Sequence, residues 1–453
     1  MPKLVFFNSF DTAALRRCTG SRISVKCKSL FLLAALVASP AAHAQVPGSS
    51  PPAPRQEIDV RTPAAQAAEN YEAKGVRIGS FLLFPTMELD EAFNDNIYAS
   101  SAATGRTSSF IQILKPSVEL RSDWSNHMLN MFARGAFGFY SADTAQNFQD
   151  FSVGADGRLD IQRNWNVYGG GSFARGHEEL GTPNTALGTF QPNFYNQLAA
   201  NVGYFQQFGL FKARLDGRLD NFNYQNNANG PAQGVIINTD RNRTEFRESL
   251  RLGYEFLRGL ELWTRGSLNQ RRYDSGMDSL GFNRNSTGWD GVVGLALDFG
   301  GITAVEVFGG YVQQDYSDGR FQTVRAPTFG LTGYWRPDRA LVIKPFVRRT
   351  VDDTALDTAS GFINTAAGVD VDYDLQANIR LTGHGDYSIA DYQAISNSSN
   401  RYDQYVTLRA SVLYYPTANF FVGPSYQFIH RSSNQFNSDY DQNLVMLRLG
   451  ARL

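Results

Sequence analysis

From Arg77 to the C-terminus, apolar and polar positions alternate in runs of about ten residues, and turn-forming residues separate the runs. The clearest run is Phe211-Lys212-Ala213-Arg214-Leu215-Asp216-Gly217-Arg218-Leu219-Asp220, with apolar residues or glycine at odd positions and charges at even ones. Successive side chains of a strand point to opposite faces, so this segment has one oily and one ionic face; a helix would scatter the charges around its circumference. The pattern returns at 153–160 and at 369–375. The last segment sets Val445, Leu447, Leu449, Ala451 and Leu453 opposite Arg448 and Arg452. Eighteen such segments can be counted, the first at 77–92 and the last at 440–453.

The connections between them alternate in length. Long polar ones fall at 93–107, 177–192, 223–243, 275–284, 352–361 and 390–400. Between these lie tight ones: Asp123-Trp124-Ser125, Gln207-Phe208-Gly209, Leu257-Arg258-Gly259, Gly300-Gly301, Arg336 to Arg339 and Pro416 to Asn419. Short turns on one side and longer loops on the other are how membrane β-barrels are built, and a soluble sandwich has no reason to keep this parity. The expected fold class is all-β: a transmembrane antiparallel β-barrel of about 18 strands, with 16 as the alternative. An even count puts both termini on the short-turn side.

Composition sharpens this. The average is polar, with 19% charged and 13% aromatic residues. Past residue 44 no stretch approaches the roughly 18 apolar residues a membrane helix requires, which leaves strands as the way across. Arg16, Arg17, Arg22, Lys26 and Lys28 precede the apolar run Leu30 to Ala38, and Ala42-His43-Ala44 follows as an A-x-A site. That order is a secretory signal peptide over 1–44, cleaved after Ala44. Both cysteines, Cys18 and Cys27, lie inside it, so the mature chain has neither disulfide nor thiolate chemistry. Removing six basic and one acidic residue from totals of 42 and 43 leaves a mature charge of −6, which points away from nucleic acid. Residues 45–76, rich in Pro, Ala, Gln and Ser, read as a disordered periplasmic lead-in, and 77–453 as the barrel.

At 78–98 the chain reads IGSFLLFPTMELDEAFNDNIY, a first strand with a mid-run proline followed by an acidic-aromatic stretch. Later segments end in similar tags, Arg272-Tyr273-Asp274 and Asp315-Tyr316-Ser317. On these features residues 77–453 resemble the beta-barrel porin type 2 family. The resemblance implies an outer-membrane barrel of a Gram-negative bacterium with a connection to polysaccharide export, and it brings no catalytic residues. The chain departs from barrels generally in ending on Leu453 rather than the commoner Phe, the strand end met by the barrel assembly machinery.

With the oily faces against outer-membrane lipid, the ionic faces turn inward, since Arg or Lys at the bilayer midplane costs roughly 2–4 kcal/mol. The expected pore-lining residues are Lys212, Arg214, Asp216, Arg218, Arg247, Arg251, Arg265, Asp370, Asp372, Asp374, Arg380 and Arg409. Two arrangements suit them: a salt-bridge lattice between neighbouring strands, or a basic bank at 212–272 facing an acidic one at 370–374 across the bore. Tyr140, Tyr224, Tyr273, Tyr316 and Tyr392 lie at strand ends beside the long loops and are expected to form a headgroup-level girdle. The longest loop, 223–243, is the one with the length to fold inward. His384 and Asp386 share a strand face, but no G-x-S-x-G, H-E-x-x-H or metal-ligand spacing accompanies them. No enzymatic site, metal or cofactor is therefore expected. The function expected is a channel for polar solutes, polysaccharide among them. The alternative is a non-conducting docking barrel of an envelope or secretion complex.

Overall fold

A computed structural model describes residues 71–183, 189–228, 234–300, 302–354, 356, 359–395 and 400–453. The expected signal peptide, its expected cleavage site and most of the expected lead-in lie outside these. Among the described residues, eighteen long strands follow one another: β1 (Phe81–Asn94), β2 (Ser109–Ser122), β3 (Met128–Tyr140), β4 (Phe148–Gln162), β5 (Trp165–Glu178) and β6 (Asn193–Phe208). Next come β7 (Phe211–Tyr224), β8 (Arg243–Leu257), β9 (Leu260–Tyr273), β10 (Ser286–Asp298), β11 (Thr303–Tyr316) and β12 (Val324–Trp335). The series ends with β13 (Leu341–Asp352), β14 (Ala359–Gln376), β15 (Ile379–Ala394), β16 (Tyr402–Tyr414), β17 (Phe420–Ser433) and β18 (Tyr440–Arg452). Each strand pairs antiparallel with the next. The ring closes where β1 meets β18, from Thr86 opposite Arg452 to Asn94 opposite Leu444. Closure leaves the eighteen-strand wall without a free edge, which is what a strand-built membrane protein requires. Ahead of β1, Val76–Ile78 folds back antiparallel on Phe81–Leu83, and the Tyr71 carbonyl accepts a bond from Arg452.

Even-to-odd connections are tight. Gly209 and Gly259 take positive φ (60° and 79°) in two of them, a backbone state that other residues adopt only at a cost. The convex face is apolar, with Phe211, Leu215, Val202, Leu268 and Val293 among its exposed side chains. Eighteen strands spaced ~4.8 Å and tilted about 40° give a backbone diameter of roughly 35 Å, too wide for side chains alone to fill.

One layer of the concave face repeats around the ring. In six hairpins an aromatic residue of the odd strand stands directly opposite a glycine of the following even strand. The pairs are Phe132–Gly154, Tyr168–Gly203, Trp263–Gly294, Phe308–Gly330, Phe346–Gly368 and Phe421–Gly450. Each ring lies over its glycine; a Cβ on Gly294 would sit 2.5 Å from Trp263 Cζ2. The ring covers backbone that glycine leaves bare, pinning the register of a wall whose polar side chains bury little apolar area.

The closing seam has its own fastening. Asp90 on β1, fully buried, accepts bonds from Lys115 on β2 and from Arg448 Nε on β18 at 2.9 Å. One carboxylate thus joins three adjacent strands across the join.

Candidate functional site

The twelve charged residues singled out from the sequence all sit on the concave face, largely in ion pairs. Lys212 Nζ lies 3.0 Å from Glu255 and 2.8 Å from Glu261. Arg214 pairs with Asp216 and Arg218 with Asp220, the former at 2.8 Å, each pair two residues apart on β7. Asp290 of β10 takes Arg247 at 2.9 Å and Arg265 at 3.2 Å. Arg251 reaches Glu261 and Glu306 at 3.2 and 3.3 Å while its guanidinium covers the Trp263 ring at 4.0 Å. Farther round, Asp372 holds Lys344 at 2.8 Å and Asp374 holds Arg380 at 2.7 Å. His384 is bracketed by Asp370 at 2.7 Å and Asp386 at 2.8 Å, and Arg409 donates to Gln427 at 2.7 Å. The arrangement is a lattice, as expected for partly desolvated charges that lose hydration and must be repaid by close partners. Opposed banks do not form: β8 and β14 stand six strands apart in a ring of eighteen, and each is neutralised by its neighbours.

A segment the sequence did not single out crosses the mouth. The connection after β5 leaves the wall at Glu178, whose carboxylate takes both guanidinium nitrogens of Arg241 at 2.8 and 2.6 Å. From there it spans to β15–β18. The Gly181 carbonyl accepts Arg431 Nη1 at 3.1 Å, Tyr440 Oη at 3.3 Å and Tyr405 Oη at 3.4 Å, and the Pro183 carbonyl accepts Tyr392 Oη at 2.8 Å. Only a chord through the interior joins walls this far apart round the ring, so the polar face is the inner one. Gly181 takes φ +83°, and a Cβ there would lie 2.5 Å from Ala99 Cβ. Phe190 on the returning limb stacks edge-on against Tyr98, centroids 5.5 Å apart. Burial pushes the Glu179 carboxyl up from its ordinary range, only partly offset by His177 and Arg409. The longest loop, long enough to fold inward, braces this strap: its Asn227 donates to the Gln191 and Pro192 carbonyls, and its Arg241 holds Glu178.

A second inward contact comes from the connection after β13. Arg284 donates to the Thr354, Leu356 and Ala359 carbonyls at 3.3–3.5 Å. Asp353 is buried beside Arg243 (3.8 Å); burial alone would raise its pKa, but Arg243 and Arg271 hold the carboxyl below its ordinary range.

The tyrosine girdle is overturned. Tyr140, Tyr224, Tyr273, Tyr316 and Tyr392 share the inward face of their strands, and Tyr224, Tyr273 and Tyr392 are buried. They pack beneath arginines: Arg241 stands 4.0 Å over Tyr224, Arg401 4.8 Å over Tyr392 and Arg243 5.7 Å over Tyr273. Strand parity carried the signal, since Tyr224 lies an even number of residues from Lys212 and must share its face. Arg241, Arg284 and Arg431 carried no such signal, because their partners are loop carbonyls and a carboxylate brought together only by the folding of the connections.

A family model described as "Putative beta-barrel porin 2" matches residues 69–453. The chain belongs to this family. Membership makes it a porin-like β-barrel of the outer membrane. Among solved structures it is similar to OpdO of Pseudomonas aeruginosa, at 15% identity and a TM-score of 0.44 over 82% of this chain and 97% of that one. It is also similar to the copper transporter OprC, at 9% identity and 0.46 over 84% of this chain and 81% of that one. For the ferric citrate transporter FecA in its unliganded form the values are 8% and 0.44, over 82% and 78% of the two chains. No curated protein matches this porin-family chain.

Proposed function

We propose that this porin-family protein is an outer-membrane channel for polar solutes, with the twelve concave-face residues lining a water-filled path that the strap residues 179–183 and 189–192 narrow. The observation that carries the reading is the ring itself: eighteen strands, apolar outside and charged inside, a strand number at which barrels have room for a water-filled path. The charged lattice keeps the wall wet without presenting unpaired charge at most positions. Polysaccharide is the finer possibility; of the six inward rings, Tyr168, Trp263 and Phe421 are buried over their glycines, while Phe132, Phe308 and Phe346 stay half-exposed, so the layer does not by itself decide between sugar chains and small polar solutes. A docking barrel with a blocked bore is the competing function. Purified mature protein in planar bilayers separates the two: stable unitary current steps are expected, and well-folded protein that passes no current would refute the channel.

A further inference from the structure

Against the lattice, two inward arginines stand out. Arg134 on β3 and Arg348 on β13 are exposed, and neither makes an ion pair among the described residues. Their guanidinium groups rest instead over the neighbouring inward ring, Arg134 at 4.8 Å from Phe132 and Arg348 at 5.8 Å from Phe346. Their cross-strand neighbours are small and uncharged. Arg134 faces Ser117 and Ser152; Arg348 faces Gly330 and Ala366. The carboxylates within electrostatic reach are Asp156 for Arg134 and Asp352 for Arg348, and neither closes to an ion pair with its arginine. The two positions are also equivalent: each lies two residues beyond a phenylalanine that covers a glycine, Gly154 or Gly368, so both occupy the same step above the aromatic layer. Strands β3 and β13 are ten apart one way and eight the other, on opposed walls.

The inward carboxylates are placed differently. Asp370, Asp372 and Asp374, the most open of them, sit against His384, Lys344 and Arg380. Asp156 and Asp352, which lack an ion pair among the described residues, are half-buried or buried and engaged with Asn130 and Thr350, and Asp298 is buried and accepts the Gly300 N–H. Among the inward side chains that lack an ion pair, the exposed Arg134 and Arg348 therefore stand more open to water than Asp156 and Asp352.

Resting on the channel reading, we infer that Arg134 and Arg348 are the residues that select the permeating solute, and that the class selected is anionic, bearing carboxylate or phosphate. The gap between them, roughly 20 Å once side chains are subtracted from the barrel width, is about twice the ~10 Å screening length at 0.1 M salt, so their fields together cover it. They act on a passing anion without clamping it, which suits a conducting path better than a tight site. At such distances through water each arginine is expected to shift the anion-over-cation permeability ratio roughly two- to fivefold.

The test is the reversal potential of single channels under a KCl gradient. Wild-type protein is expected to prefer chloride. The double variant Arg134→Gln/Arg348→Gln loses that preference while still conducting, and Arg134→Glu/Arg348→Glu prefers potassium. Arg272→Gln, on the convex face, leaves the potential unchanged. A conducting double variant with the wild-type potential, or a wild type that prefers potassium, overturns the assignment. Absence of current in every folded protein would instead remove the channel reading on which it rests.

Discussion

Replacing Gly181 by valine tests whether the strap, rather than the wall, sets the width of the path. The residue takes φ +83°, where an L side chain costs about 1–2 kcal/mol. Its Cβ would meet Ala99 Cβ at 2.5 Å and Tyr440 Oη at 2.7 Å; the former belongs to a side chain with no rotamer to escape into, adding an overlap of about 1–3 kcal/mol. Against this stand the bonds that dock the strap. Three come from tyrosine hydroxyls and one from Arg431. At about 1 kcal/mol for each neutral bond and about 2 for the charged one, they contribute roughly 5 kcal/mol. A net loss near 3 kcal/mol moves the docked-to-undocked ratio by about two orders of magnitude. Because no strand-to-strand bond is touched, the barrel itself should stand. Single-channel recording is expected to show a larger or unsteady unitary conductance, while heat-modifiable migration in SDS gels, the sign of an intact barrel, is unchanged. Arg431→Gln/Tyr405→Phe removes donors without adding bulk and should act in the same direction. If both variants fold and conduct like the wild type, the strap does not narrow the path.

Glu179 makes docking pH-dependent. Its carboxyl is raised in the docked strap, so docking is most secure below the ordinary value of 4.5 and weakens as pH rises through the raised one. Conductance should therefore increase as pH rises from 4.5 through the raised value, and Glu179→Gln should flatten that dependence; an unaltered profile in the variant would assign it to another group. Asp90→Ala leaves Lys115 and Arg448 buried without their shared carboxylate, at a cost of about 3–5 kcal/mol, and should lower the temperature at which the barrel opens in SDS. An unchanged unfolding temperature would show that the seam is held by backbone pairing alone.

The strands and their faces were legible in the sequence because both follow from local geometry. A period of two fixes which residues share a face, and the alternation of long and tight connections fixes which rim they meet. Arg214 with Asp216 and Arg218 with Asp220 could be paired on that basis, two residues apart on one strand. The same rule, applied to Tyr224 or Tyr273, turns them inward; reading them as a girdle let residue preference override parity.

What only the tertiary structure decided is everything that depends on the ring being closed. Asp90 meets Arg448, and Gly181 meets Arg431 and Tyr440, across separations no periodicity reports, because closure brings the first strand to the last and turns opposite walls into neighbours of the same loop. The length of a loop says how far it can reach; which loop goes inward depends on the carbonyls, carboxylates and donors waiting on the far side. That Arg134 and Arg348 close no ion pair among the described residues belongs here too, since the side chains within a charge's reach are those of the strands placed beside it, and those strands are assigned by register.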